Sequence, residues 1–295
     1  MISNKKIGII VVAYHNATMT ERFIKTELAK LSTQFYLVVV NNASTHEESL
    51  RLAKSCDLEF INNDLHDNIP NNTKYLIWSQ ENLGYARGNN KGVAFLNRIG
   101  GFTHFLFSND DITINNTNIL NRLVEKMDTN KEIGAIGPRI INLDGIDQNP
   151  KDHYISLYRE IGWILLAPFR KSKKQRAITA KDEAEESRMT YWTSGAFLLV
   201  KANAFNKVGG FDPHTFLYYE ECILAERLAK IDLHFYYDAS ITIIHFEGSS
   251  TTKNRNNQLI GIQSKLYYYK KYKHTNALII FLYKVIEYIN YKLKQ

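Results

Sequence analysis

Two adjacent carboxylates, Asp110 and Asp111, stand directly after the apolar run "THFLFS" in the segment "FSNDDITI". A buried strand that ends in carboxylates fixes the backbone while the side-chain oxygens reach a hard cation such as Mg2+ or Mn2+. The surrounding "NDDITINNTN" is also rich in turn formers, so an Asx turn before the next helix competes with the metal reading. A second pair, Glu220 and Glu221, follows "FLYY" and opens a helical pattern carried by Ile223, Leu224 and Leu228. Carboxylates in a first helical turn are favoured by the helix dipole; one held beside aromatic neighbours at a cleft rim can also act as a general base. His245 closes the apolar run "ITIIH" before "FEGSST". A single imidazole there serves either packing or a metal completed by other groups.

The elements that must position these groups are legible as alternating short β-branched runs and amphipathic stretches, the pattern of βαβ units and a parallel sheet. Strands are predicted at "KIGIIVVAY", "YLVVVN", "KYLIWS" and "HFLFS", with a helix over "TMTERFIKTELAKLS", where Phe23, Ile24, Leu28 and Leu31 recur at helical spacing. Beyond Asp111 the sequence predicts a helix near "NILNRLVEKMD", a strand near "IGAIGPRII" and a strand over "YWTSGAFLLVK". In open α/β sheets ligands bind beyond the carboxyl ends of the strands. That rule selects Ala13 and Tyr14, Asn41 to Ser44, the segment "QENLGYARGNN" and Ser108 to Asp111. The expected crevice is therefore polar, with amides, Arg87, glycines and carboxylates.

The 295 residues, 44% of them hydrophobic, suffice for a sizeable core, and the net charge of +7 is concentrated in runs such as "RKSKKQR" and "KLYYYKKYKH". Such runs suit nucleotide phosphates or an anionic membrane, or simply a solvated face. Cys56 and Cys222 stand far apart, which excludes a disulfide framework and a zinc cluster and fits a reducing cytoplasm. The first apolar run is too short and too β-branched for a signal peptide. Residues 170–188, a basic block followed by an acidic one, read as a surface loop. Near the C-terminus "ALIIFLYKVIEYINYKLK" is interrupted by Lys284 and Glu287, which argues for an amphipathic helix, on a membrane or on the domain, rather than a spanning one.

The order of "IIVVAYHN", "VVVNNAS", "ENLGYARGNNKG", "FSNDDI", "GAIGPRI", "TSGAFLLVKANAFNKVGGFD", "FLYYEE" and "IIHFEGSS" resembles the successive landmarks of inverting family 2 glycosyltransferases. The resemblance runs over about residues 6–272 and is strongest to the rhamnosyltransferase-like branch that builds bacterial surface polysaccharides such as capsule and O-antigen. It implies a GT-A fold, an α/β architecture with a Rossmann-like mixed sheet flanked by helices. A nucleotide-sugar half would cover about 1–114 and an acceptor half about 115–272, with 273–295 a C-terminal amphipathic helix. Asn41 stands where the family usually has an Asp that contacts the base, and Asn109 replaces the first Asp of the Asp-x-Asp element. By the same resemblance the donor contacts are Ala13, Tyr14, Asn41, Asn42, Ser44, Gly84, Arg87, Gly88, Asn89, Asn109 and Asp110. Asp111 matches the metal-binding Asp, with His245 assisting and Ser249 and Ser250 in the loop beyond it.

Glu221 occupies the catalytic-base position, a Glu in place of Asp, with Glu220 as the alternative, and Ile223 replaces a later acid. Trp192, Ser194, Gly195 and Tyr219 fall on the acceptor side. The implied reaction uses Mg2+ or Mn2+, a UDP- or dTDP-sugar donor and a saccharide or lipid-linked saccharide acceptor. From the residues themselves the expected location is cytoplasmic, with peripheral contact at the inner face of the cell membrane through "ISLYREIGWILLAPFRKSKKQR" and the C-terminal stretch, against the competing reading of the first segment as a core helix followed by a solvated loop. A nucleotidyltransferase would need a stronger triphosphate-gripping loop than "YARGNNKG". A catalytically silent nucleotide-sugar or glycan-binding module is the non-enzyme alternative. Nucleic-acid binding by "KLYYYKKYKH" is the weakest reading.

Overall fold

The computed structural model describes residues 5–62, 69, 71–145, 147, 148, 153, 154, 156–166, 186–246 and 255–293. Strand β1 (Ile7–Tyr14) leads into helix α1 (Ala17–Arg22), which Asn16 caps by accepting the Met19 N–H. The helical run continues as a π turn (Phe23–Glu27) and a 3-10 turn (Leu28–Lys30), so the amphipathic pattern is one segment of changing pitch. Strand β2 (Tyr36–Asn42), helix α2 (His46–Ser55), β3 (Glu59–Ile61), β4 (Lys74–Ser79), helix α3 (Gly84–Ile99) and β5 (His104–Ser108) follow. Three-residue β3 gave no sequence signal, because two or three alternations fall below what periodicity resolves.

Next come β6 (Ile112–Ile114), α4 (Ile119–Thr129), β7 (Ile133–Asn142), α5 (Leu157–Leu166), β8 (Arg188–Thr190), β9 (Phe197–Lys201) and α6 (Ala202–Lys207). Then α7 (Glu220–Ala229), β10 (His234–His245), α8 (Arg255–Lys271) and α9 (Ala277–Leu293) complete the described chain. The expected single strand "YWTSGAFLLVK" is corrected: strand begins only at Phe197, and Tyr191 to Ala196 form a loop. Its Thr-Ser-Gly centre supplies turn residues, and Gly195 is needed without a side chain for the reason given below. Most of the charged run 170–188, and Ser249 and Ser250, lie outside the described residues.

Among the described residues ten strands form one mixed sheet in the order β3-β4-β2-β1-β5-β9-β7-β10-β6, with β8 paired to β10. The β3-β4-β2-β1-β5 half is parallel, β9 runs antiparallel to β5 and β7, and β6 is antiparallel to β10. Alternation along β1 and β2 divides the core. Ile9, Val11, Ala13, Leu37 and Val39 face α1, α2 and α4, while Ile10, Val38 and Val40 face α3, α6 and α7. Register aligns the carboxyl ends: Ala13 lies beside Asn41 and Asn41 beside Trp78, Tyr14 beside Asn42 and Asn42 beside Ser79, Val11 beside Ser108. The expected convergence of strand ends on one edge is thereby built.

A third apolar cluster joins α7 to the C-terminal helices through Leu157, Cys222, Ile223, Tyr268, Tyr269 and Tyr283. Ile223, fully buried there, is a packing residue, as an apolar replacement of an acid would be. The tyrosines of "KLYYYKKYKH" turn inward, with Tyr268 and Tyr269 buried, which removes the stacking platform a nucleic-acid reading needs.

The fully buried Asp212, in the Gly-Gly-Phe-Asp turn before α7, ties α7 to α8. It accepts from Tyr267 on α8 (2.8 Å), from Tyr272 just beyond it (2.6 Å), from the His214 backbone N–H (3.1 Å), and pairs with Arg227 of α7 at 3.0 Å. Burial pushes its carboxyl up, but the hydrogen bonds of Tyr272, His214 and Tyr267 outweigh that and hold it far below the usual carboxylate range. Its stabilising contribution is therefore complete at neutral pH and is lost only in strong acid. Asp212→Asn should leave Arg227 without its carboxylate and lower stability by on the order of 2–3 kcal/mol, read by urea denaturation at pH 7. An unchanged midpoint would show the node to be dispensable.

Candidate functional site

The adjacent starts and ends of β5, β6 and β10 bring the first carboxylate pair and the histidine together. Antiparallel pairing places His245 opposite Ile112, and the Phe246 N–H donates to the Asp111 carbonyl at 2.8 Å. His245 Nε2 consequently lies 3.0 Å from Asp111 Oδ1 and 3.3 Å from Asn109 Nδ2, an amide that can donate to it. On the other side of the ring, Nδ1 lies 3.1 Å from Gln148 Oε1. In the tautomer with the proton on Nδ1, which then donates to Gln148 Oε1, the Nε2 lone pair faces Asp111; in the other tautomer Nε2–H donates to the Asp111 carboxylate.

In the first tautomer the Asp111 oxygen and the imidazole nitrogen converge as two acceptors and could supply two ligands of a divalent-cation site of the oxygen-and-nitrogen type. Among the described residues no group of three or more His, Cys, Asp and Glu that could hold a metal occurs, so a bound ion would take its other ligands from water or from a ligand's own oxygens. The arrangement fits Mn2+ or Mg2+ on those terms.

Asp110 is turned elsewhere. Its Oδ2 accepts the Thr20 hydroxyl at 2.6 Å, and burial, with the Asp111 charge adding to it, pushes the carboxyl up to about 6. The pair that looks equivalent in sequence thus divides into one residue braced against α1 and one facing His245.

Gln148 was missed by sequence reasoning, and the signal for it is three-dimensional. After β7 the chain turns at Leu143 to Gly145 and returns antiparallel, with Ile141 bridged to Asp147 and the Gln148 N–H donating to the Ile140 carbonyl at 2.8 Å. Arg139 pairs with Asp147 at 2.5 Å and pins the return. An outer partner that fixes a ligand histidine's tautomer commonly contributes 10–100-fold in metal affinity. Gln148→Ala should weaken Mn2+ binding by about that factor, measured by titration calorimetry, while the melting temperature changes little. Unaltered Mn2+ affinity would contradict the orienting role.

The second carboxylate pair is set by strained backbone. Tyr218 and Tyr219 both adopt left-handed φ values of 73°, a conformation that costs a non-glycine residue on the order of 1 kcal/mol and that concentrates at functional sites. The turn they make starts α7 so that Glu221 points at the Gly195 loop, where the Gly195 N–H donates to its Oε1 at 2.7 Å. Tyr85 of α3 donates its hydroxyl to the Gly195 carbonyl at 2.8 Å, and its own N–H donates to the Phe216 carbonyl. A Cβ on Gly195 would stand 2.4 Å from Glu221 Oε1 and 2.7 Å from the Tyr85 hydroxyl, so a larger residue would push both side chains out of these positions. Tyr85 is a further residue that the sequence did not single out.

Glu220 is buried, with Oε1 lacking a hydrogen-bond partner among the described residues. Burial first, and the Glu221 charge second, push it up to about 8, and burial likewise raises Glu221. Two carboxyls this close titrate as a pair. Glu221, less buried than Glu220 and with Oε2 left over from the Gly195 hydrogen bond, is the one available to a ligand.

One short loop joins the two pairs. The Asn109 N–H donates to the Ala196 carbonyl at 2.9 Å, and the preceding residue, Gly195, holds Glu221. Of the other expected contacts, Tyr14 and Arg87 are exposed at this edge, and Arg87 Nε donates to the Leu83 carbonyl. Ala13 is buried at the end of β1. Asn42 is also buried, donates weakly to the Gly84 carbonyl at 3.4 Å, and leaves Oδ1 without a partner among the described residues. Gly84 has φ 69°, and a Cβ there would strike the Phe216 carbonyl at 2.3 Å, so this turn closes against the loop that leads to Glu221.

Asn41 is buried and donates to Ser49, which also meets Ser44 at 2.9 Å. This network spends the Asn41 amide on α2. Gly88 and Asn89 lie buried within α3, Gly88 against Val12 and the Asn42 amide, and Asn89 donating to the Tyr85 carbonyl. Trp192 and Ser194 belong to the Gly195 loop, and the Tyr219 ring packs 5.3 Å from Tyr268. A separate depression of about 640 Å³, lined by Lys207, Arg227, Lys230 and Lys271, contains none of these residues.

No protein-family model matches the chain. Among curated proteins it is 27% identical over 207 residues to the N-acetylglucosaminyl-diphospho-decaprenol L-rhamnosyltransferase of Mycobacterium tuberculosis, covering 68% of this chain and 67% of that protein. It is also 27% identical over 253 residues to a low-salt glycan biosynthesis hexosyltransferase of Haloferax volcanii, covering 84% of this chain and 69% of the relative. Among solved structures it resembles a mannosyltransferase from Pyrobaculum calidifontis in complex with GDP-Man and Mn2+, with a TM-score of 0.56 and 13% identity. That match covers 92% of this chain, which spans 64% of the mannosyltransferase chain.

Proposed function

We propose that this chain, a GT-A-like glycosyltransferase by its fold and its curated relatives, transfers a sugar with inversion from a nucleotide-sugar donor to a hydroxyl of a glycan or lipid-linked saccharide. The observation that carries the reading is the loop of Gly195 and Ala196. It holds the Asn109 backbone next to Asp111 with one residue and the Glu221 carboxylate with the residue before it. A donor diphosphate at Asp111 and His245 and an acceptor hydroxyl at Glu221 would then meet across one sugar ring.

On this reading the donor half is the sheet from β1 to β6, with Tyr14, Asn42 and Arg87 nearest the nucleotide and phosphates, and the acceptor lies over Trp192, Ser194, Gly195 and Tyr219. Asp111 and His245 Nε2 would hold Mn2+ or Mg2+, which when bound offsets the negative charge of the leaving diphosphate. Glu221, its Oε1 fixed by Gly195, takes the acceptor proton on Oε2. The freed oxygen forms its bond to the anomeric carbon from the opposite face as the carbon–phosphate-oxygen bond breaks, and the electron pair leaves on the nucleoside diphosphate. The raised pKa of the Glu pair suits a base, since a less acidic carboxyl accepts a proton more readily.

The sequence resemblance favours a UDP- or dTDP-sugar and a role in cell-surface polysaccharide synthesis, and the name of the rhamnosyltransferase relative favours a lipid-diphosphate-linked acceptor. Thermal melting with Mn2+ and matched UDP-, dTDP- and GDP-sugars tests this, since a donor at a hundred times its Kd adds about 2.7 kcal/mol to stability. A rise with one nucleotide class is expected; no rise with any of them would contradict the reading.

A further inference from the structure

We infer that α9 and the outer side of α5 form a docking surface for an anionic lipid bilayer. Helix α9 is apolar on two sides. Ile279, Ile280 and Tyr283 pack into the cluster with α5 and α8, and Glu160 of α5 is tied to Lys265 of α8 at 2.7 Å. The opposite side carries Leu278, Phe281, Leu282, Val285, Tyr288 and Ile289 at spacings of three, four, seven, ten and eleven residues, which is one continuous helical stripe. All six are exposed, Leu278, Phe281 and Tyr288 by more than 60%. Helix α5, packed against α9, adds Tyr158, Trp163 and Leu166, each exposed, with the Arg159 guanidinium 5.1 Å from the Trp163 ring.

An apolar stripe of this kind on a folded chain marks a contact with something apolar. Charge selects the occupant. Residues 255–295 hold eight Lys and Arg against the single acid Glu287, so this segment carries the whole net charge of +7 while the rest of the chain is balanced. The run "RKSKKQR" begins four residues after α5 ends. Exposed apolar and aromatic side chains on a segment of net positive charge fit the acyl boundary and headgroups of an anionic leaflet. A second copy of the same surface would set these like charges against each other. No helix among the described residues is long and apolar enough to cross a membrane, so the contact lies in the interface plane. The inference stands apart from the sugar-transfer reading, because it uses none of the crevice residues.

Flotation with vesicles of phosphatidylcholine alone, and of phosphatidylcholine with phosphatidylglycerol, tests it on the full chain. Wild type should float with the anionic vesicles at least about tenfold more than with the neutral ones, and less as salt rises. Trp163 emission should be quenched by brominated acyl chains. Phe281→Asp combined with Ile289→Asp alters exposed positions only and should abolish flotation while the melting temperature and donor-induced thermal shift stay at wild-type values. Flotation unaffected by the double variant, no binding to anionic vesicles, or a dimer by light scattering that the same variant renders monomeric would each overturn it.

Discussion

Glu221→Gln is expected to lower kcat by about a thousandfold while donor binding and melting temperature stay near wild type. The amide keeps the size of the side chain but cannot take a proton, and its carbonyl oxygen can still accept from the Gly195 N–H now at 2.7 Å. The loss should therefore fall on the chemical step. Loss of donor binding alongside kcat would instead assign Glu221 to substrate positioning.

The pH profile gives a second readout. Glu221 must be ionised to act, and burial raises its pKa above the ordinary 4.5, so activity should rise with pH along a limb above the usual carboxylate range. Glu220→Gln should leave that limb in place, because Glu220, pushed up to about 8 by burial and the Glu221 charge, is still protonated while Glu221 ionises. The same variant reports on stability. Glu220 has a folded-state pKa raised from 4.5 to about 8, so its contribution is complete below pH 4.5 and is lost as pH rises through 8. Glu220→Gln should flatten that decline in melting temperature, and an identical decline in both proteins would contradict the assignment.

Asp111→Asn is the second large expected effect, a loss of about 10²–10³-fold in kcat/KM together with loss of stimulation by Mn2+. Asp111 and His245 Nε2 stand 3.0 Å apart, and the amide removes the anionic acceptor. Mn2+ affinity by titration calorimetry separates this from a folding defect. Asp110→Asn should do far less, because Asp110 faces the Thr20 hydroxyl, and Asn can still accept from it. Equal losses from the two substitutions would mean that the aspartates act as an undivided pair.

The division between these neighbours could not be read from "NDD" alone. Sequence spacing placed the strand ends correctly, because β-branched runs and the carboxyl-end rule depend only on local pattern and on parallel topology. It also paired Asp111 with His245, although only by resemblance; the antiparallel register of β6 and β10, which makes them neighbours, joins segments over a hundred residues apart. Tyr85 and Gln148 escaped notice for the same reason. Each acts through one hydrogen bond to a distant segment, Gly195 or His245, and neither has a distinctive local pattern. The Tyr191–Ala196 loop was read as strand because its aromatic start and the following "AFLLVK" carry strong β propensity, while the close approach of Glu221 to Gly195 is invisible in one dimension. The C-terminal helix was legible as amphipathic. Its two apolar sides, one packed and one exposed, required the position of α8.

With Glu221 as base, the acceptor oxygen would attack the anomeric carbon from the face opposite the leaving diphosphate. The first sugar that wild-type protein and Mn2+ release from a nucleotide-sugar donor in water, followed by proton NMR before mutarotation, tests it most directly. The anomer opposite to the donor's should form first; release of the donor's own anomer, or of no sugar from any donor, would contradict the account.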